Sequence, residues 1–271
     1  MFSVGCEESE KNQNTTGLFK TQITTQQEII QKYREAAFKI VTQGLVDQDG
    51  LIRANAIETV TRAQLTELMP TVEKMLLDGA VAVRFAAAVA IGDMGYTAAR
   101  YKLQTALEDD DNNIKLAAAY ALTKLGIADH TETIIFYAGS SDTTVQANAL
   151  LLLGKLANPR ALPAVMAVLH DDNASDKVKI QAMLTVARLG NENYIYQRLW
   201  SLLISKHPDD RVMGIRGMGA MATTESRDAI VTILDDELWE VKLCAADELG
   251  RLGYMTGRPE LMDYLTKESK G

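Results

Sequence analysis

Apolar and small residues recur along the chain on a fixed template. The stretch from Val83 to Gly95, stepped by about 31 residues in either direction, returns seven times. Its opening position holds Ile52, Val83, Ile114, Val145, Val178, Asp210 and Val241, with Asp210 the one misfit. Four residues on stand Ala56, Ala87, Ala118, Ala149, Ala182, Gly214 and Ala245. Eight on stand Val60, Ile91, Leu122, Leu153, Val186, Met218 and Leu249, and eleven on Ala63, Met94, Leu125, Leu156, Leu189, Met221 and Leu252. On a helix these positions fall within about 80° of arc and make one apolar stripe, so each copy predicts an amphipathic helix. Twelve on come Gln64, Gly95, Gly126, Ala157, Gly190, Ala222 and Gly253, the place where a left-handed residue ends a helix.

Between these helices lie second periodic segments: Glu28 to Val41, Leu65 to Leu77, Ala98 to Leu107, Glu132 to Ala138, Ala161 to Leu169, Tyr194 to Ile204, Ser226 to Leu234 and Pro259 to Leu265. The order is outer helix, turn, inner helix, repeated. One pair cannot bury its apolar stripe alone, so neighbours must stack around a continuous core. The small residues at the fourth position let adjacent backbones approach.

One step after the opening position come Arg53, Arg84, Lys115, Gln146, Lys179, Arg211 and Lys242. That register lies toward the apolar side, so a charge there needs a partner. Acids stand upstream each time, at Asp49, Asp78, Asp111, Asp142, Asp176, Asp209 and Glu237. Asp49, Asp111 and Asp142 are placed to cap the inner helices, and the basic residues to pair with carboxylates of their own or the adjacent repeat. We read this as a structural ladder.

The motif D-x-x-[VI]-[RK]-x-x-A followed by L-G resembles the short HEAT-like repeat of the phycobilisome-lyase type, from about Glu28 to the C-terminus. The resemblance implies an all-α, armadillo-like fold: a right-handed α-solenoid of about seven HEAT-like helix pairs plus a C-terminal capping helix. The expected boundaries are a polar tail over 1–25, a single solenoid over 26–268 and a polar end over 269–271. Proteins built this way are mostly protein-binding scaffolds, a few being enzymes or enzyme subunits, and fold does not choose between them.

Composition narrows the chemistry. The 271 residues carry a formal net charge of −8, which argues against nucleic acid as the partner. Two cysteines, Cys6 and Cys244, are too few for a disulfide scaffold or a thiolate zinc site. No apolar run approaches a membrane span. His130, His170 and His207 fall in separate inter-helix regions, and the repeated His-Glu pairs of deoxyhypusine hydroxylase, a HEAT-like di-iron enzyme, are missing. With Trp200 and Trp239 the only tryptophans, an alkylation-glycosylase face is disfavoured too. Gly214, Gly217 and Gly219 read as packing positions rather than a phosphate cradle. The expectation is no catalytic residue, no metal and no cofactor, with a bilin-lyase-like enzyme or accessory subunit as the alternative the resemblance implies.

The side of the inner helices away from the stripe would meet a partner. The tenth position holds Arg62, Asp93, Lys124, Lys155, Arg188, Ala220 and Arg251; the sixth holds Glu58, Val89, Tyr120, Leu151, Leu184, Arg216 and Asp247; the third adds Asn55, Asn148 and Gln181. An apolar strip of Val89, Tyr120, Leu151 and Leu184 beside Lys124, Lys155 and Arg188, with Arg62, Asn148, Gln181 and Arg216 around it, would suit an acidic or amphipathic peptide on a concave face. The competing expectation is that tight curvature buries Leu151 and Leu184 between repeats. At the N-terminus, Ser3-Val4-Gly5-Cys6 resembles the end of a bacterial lipoprotein signal without its basic and apolar regions. The expected compartment is the cytoplasm; a lipid anchor at Cys6, in the periplasm or on a membrane, is the alternative.

Overall fold

The computed structural model describes residues 31–190, 192–259 and 261. The expected tail, Cys6, the polar C-terminal end and most of the expected cap over 259–265 lie outside the described residues. The chain divides into two compact units, Met1–Met94 and Gly95–Gly271.

In the first unit, helix α1 covers residues 31–44, and α2 (Gly50–Arg62) packs on α4 (Val81–Asp93). Between them in sequence lies α3 (Met69–Lys74), flanked by single 3-10 turns at Thr66–Leu68 and Met75–Leu77. In the second unit the inner helices are α6 (Asn112–Lys124), α8 (Thr143–Leu156), α10 (Asp176–Arg188), α12 (Pro208–Met221) and α14 (Trp239–Arg251), each packed on the next. The outer helices are α5 (Arg100–Ala106), α7 (Thr131–Tyr137), α9 (Leu162–His170), α11 (Glu192–Leu203) and α13 (Thr224–Val231). The described residues contain no strand. Outer and inner helices thus alternate as the periodicity requires.

Local chemistry sets the helix ends. Asp49, Asp111 and Asp142 accept from Leu51, Asn113, and Thr144 and Val145 N–H groups, so the expected caps form. The cap of α10 is Ser175 rather than Asp176, and α12 and α14 begin after His207 and Leu238 without a side-chain cap. Pro70, Pro163 and Pro208 occupy first-turn positions, where a missing N–H costs nothing. All seven residues of the terminating column have positive φ: Gln64, Gly95, Gly126, Ala157, Gly190, Ala222 and Gly253.

The small residues at the fourth position are buried throughout. Gly214 shows why they are small. A Cβ there would lie 2.6 Å from Leu203 N and 2.8 Å from Leu203 Cα, so the backbone of α11 rests directly on α12. Gly217 and Gly219 also fill packing roles, the first against Leu199 and the second against Glu248.

Candidate functional site

The contacts made from the basic register have a specific geometry. Arg53 donates from Nη1 to the carbonyls of Asp47 and Gln48, while its Nε and Nη2 grip both oxygens of Asp78. Arg211 repeats the arrangement, donating to the Ser205 and Lys206 carbonyls and pairing with Asp236. Arg84 reaches the Asp78 and Gly79 carbonyls, Lys179 the Asp172 carbonyl, and Gln146 the Ala138 carbonyl. Lys115 and Lys242 keep the same register and are half-buried. Each side chain with a recorded contact therefore closes the turn before its own helix.

The carboxylates in this ladder were not separable by spacing alone. Asp47, Asp78, Asp109 and Asp236 accept the backbone N–H two residues on, as do the Ser140 and Ser205 hydroxyls, and Asp171 does so in the fifth repeat. These residues shape the turn, and two of them also take the arginine. Asp209 and Glu237 do neither by any recorded contact. The misfit Asp210 accepts from Ser205 Oγ at 2.7 Å.

On the inner-helix face, the first unit leaves Arg62 exposed and Val89 half-buried. In the second unit the expected apolar strip is withdrawn from the surface. Tyr120 is fully buried, within a run from Leu116 to Leu122 that is buried throughout, and Leu184 is buried as well. The reason is packing: α8 lies against both α6 and α10, and α10 also against α12, so side chains at the sixth position fill the spaces between neighbouring inner helices. Leu151 is half-buried and belongs to the same filling.

What stays accessible is polar and basic. Lys124 and Arg216 are exposed, and Lys155 and Arg188 are half-buried. Asn148 donates to Asn113 Oδ1 at 2.8 Å, bridging α6 and α8. On α10, Gln181 Nε2 and Arg188 Nη1 are buried without a hydrogen-bond partner. Thr185, between them, donates to the Leu150 and Gln181 carbonyls.

A residue not singled out in the sequence completes this face. Glu248 on α14 is buried, and burial pushes its carboxyl above the usual range against the pull of Arg251, Arg188 and Arg216. Burial likewise pulls the Arg188 guanidinium down, with Arg251 adding to the effect. The available signal was columnar: the seventh position otherwise holds Thr59, Ala90, Ala121, Leu152, Thr185 and Gly217, so one acid stands among small and apolar residues.

Cys244 is half-buried, and burial raises its thiol. His170 is held between Tyr194 Oη and the Met166 carbonyl. Among the described residues no His, Cys, Asp or Glu cluster is arranged to hold a metal ion. Nor is any described helix long and apolar enough to cross a membrane.

Comparison with known proteins agrees with this architecture. The profile for HEAT repeats matches residues 38–123 and 102–187, together more than half of the chain. A subunit in the complex of CpcE and CpcF of phycocyanin lyase from Nostoc sp. PCC7120 is similar in fold, with TM-score 0.52 and 20% identity over 78% of this chain and 86% of that one. Human deoxyhypusine hydroxylase is a more distant likeness, with TM-score 0.39 and 15% identity over 79% of this chain and 83% of the other. A designed armadillo repeat protein in complex with the peptide (KR)4 matches at TM-score 0.34 and 16% identity over 78% of this chain and 98% of that one. No curated protein sequence matches. The apolar stripe, the left-handed terminators and the matched repeats together place this chain in the HEAT-repeat family.

Proposed function

We propose that this chain is a non-enzymatic scaffold or adaptor, alone or within a larger assembly, that binds a partner polypeptide on the inner-helix face of its second unit. One observation carries the reading. Lys124, Lys155 and Arg188 occupy one register position on three consecutive inner helices, in a chain whose acids outnumber its bases. A row of cations with the apolar side chains withdrawn suits an acidic partner segment better than an amphipathic one. The overall charge of −8 opposes nucleic acid as that partner.

The test is affinity capture from native lysate, read by mass spectrometry, with the wild type beside a Lys124→Glu/Lys155→Glu variant. Arg188 is left intact because it is half-buried and its Nη1 is enclosed by protein. A partner lost from the variant, with the fold retained, is the expected result; equal capture by both would remove the face from consideration. The second reading, a bilin-lyase-like accessory subunit, rests on likeness of fold. Uptake of a tetrapyrrole with visible absorbance by the purified chain would favour it.

A further inference from the structure

The first inner helix leaves open a position that its counterparts bury. Ile52, at the opening position of α2, is 45% exposed, whereas Val83, Ile114, Val145, Val178 and Val241 are at most 2% exposed. Beside Ile52 lies Gly44 of α1, where an added Cβ would come 3.0 Å from Ala56 Cβ and 3.8 Å from Ile52 Cγ2. In the next repeat Met75 stands where Gly44 does and Val83 where Ile52 does, and both are buried.

Gly44 ends an apolar line along α1. Tyr33, Ala37, Ile40 and Gly44 follow at spacings of four, three and four residues, which keeps them within about 60° of arc. A different side of the helix carries Val41 and leads to Leu45, both buried. Ile40 is 68% exposed, and Val46 in the turn and Leu51 at the start of α2 are 75% and 64% exposed. An end repeat is normally finished with polar residues, because no neighbour covers it. Here the end is apolar, which marks a surface that meets another.

The charges around the line indicate what it meets. Lys32 and Arg34 flank its start, about 100° to either side of Tyr33. Glu35, the one acid of α1, lies on the far side and accepts from Gln31 Nε2. At the other end the turn holds Asp47 and Asp49. The line therefore runs from a basic end to an acidic end, with Ile40 midway. A second copy laid antiparallel across it matches base to acid twice at once. The chain ahead of α1 offers no such match, since residues 12–27 hold a single charge, Lys20.

We propose that α1 and the start of α2 form a self-association face, on which the same surface of a second copy of this chain docks antiparallel about a two-fold axis at Ile40. Lys32 and Arg34 then face Asp47 and Asp49 of the partner subunit. Because each copy uses the same patch, the contact closes at two chains. The face belongs to the first unit, so the inference stands apart from the scaffold reading, which concerns the second.

The experiment is sedimentation equilibrium of the full chain from about 1 to 100 μM. The mass should rise with concentration toward that of two chains. Ile40→Glu, at an exposed position, should hold the chain monomeric with unchanged circular dichroism. Lys32→Glu/Arg34→Glu should weaken association about tenfold, and adding Gln48→Lys, exposed in the acidic turn, should restore it. On a Cys6→Ser/Cys244→Ser background, a short bismaleimide should link Ile40→Cys to itself but not Phe136→Cys, which is equally exposed in the second unit. A chain monomeric at every concentration would overturn the proposal. If such a monomer also loses stability on Leu18→Ser/Phe19→Ser, the face belongs to the chain ahead of α1 instead. A dimer that survives Ile40→Glu would place the contact elsewhere, and association indifferent to the charge reversals would overturn the antiparallel register.

Discussion

Arg53 on α2 holds Asp78, 25 residues downstream, through two bonds of 2.9 and 2.7 Å, and Arg211 on α12 meets Asp236 across the same separation. Each arginine also donates to the carbonyls just before its own helix, so one side chain ties a repeat to the next. The pairs differ in burial: the Arg211 and Asp236 side chains are each 8% exposed, against 18% and 15% for Arg53 and Asp78. Removing one partner from the drier pair leaves a charge with little water. Asp236→Ala is expected to cost on the order of 3 kcal/mol in urea denaturation, and Asp78→Ala distinctly less. Equal losses at the two sites would show that burial does not set their worth.

The terminating column makes a prediction of opposite sign. Ala157 and Ala222 adopt φ of 51° and 55°, a region that L side chains occupy at some cost. Four other repeats place glycine there. Ala157→Gly and Ala222→Gly are each expected to stabilise the fold by about 0.5 kcal/mol, the relief of strain exceeding the added chain entropy. Gly126→Ala should destabilise by a similar or larger amount. Urea midpoints at unchanged slope would report all three, and a destabilised Ala157→Gly would remove strain as the reason for the column.

Glycine at a packing position behaves differently. Gly214→Ala drives a Cβ into the Leu203 backbone, and since backbone cannot rotate away, the loss should reach about 1–3 kcal/mol. Gly250, inside α14, has nothing within 4 Å of its added Cβ, so Gly250→Ala should be neutral or gain up to about 1 kcal/mol from helix propensity. Thermal midpoints of the two variants side by side test the claim that the fourth position is small because a neighbouring backbone lies on it.

These contrasts show what the sequence could express. Apolar periodicity and the turn residue at position twelve are local signals, so helix order, the caps at Asp49, Asp111 and Asp142, and the left-handed ends were all legible. The face was harder to read, because burial at the sixth position depends on how closely one inner helix packs on the next. Tyr120 looked like a surface anchor and is instead fully buried core. Tyr120→Ala should accordingly cost about 3–5 kcal/mol in urea denaturation, as for other large buried aromatics. Lys124→Ala, on the exposed turn of the same helix, should stay within about 0.5 kcal/mol. Glu248 escaped notice for the reverse reason: a helix face rich in charge hides one more acid, and only its column shows that it replaces small and apolar residues.

Glu248 also gives the chain an acid response opposite to that of Asp78. Arg53 and the Ala80 N–H hold the Asp78 carboxyl below its ordinary value, so its contribution is present above the unfolded value and is lost as pH falls through the lower folded one. Burial holds Glu248 above its ordinary value although Arg251, Arg188 and Arg216 oppose the shift and Asp247 adds to it. Its contribution is therefore fully present below the unfolded value, near 4.3, and is lost as pH rises through the folded value. Between those two values folding takes up a proton at this site. Glu248→Gln removes the titration at constant shape, so at neutral pH the variant should be at least as stable as the wild type. The gap should close as pH falls through the folded value toward the unfolded one. Urea midpoints of the pair from pH 7 to 4 measure it; a variant less stable at neutral pH, with a gap indifferent to pH, would mean that the Arg251 contact outweighs the burial of the charge.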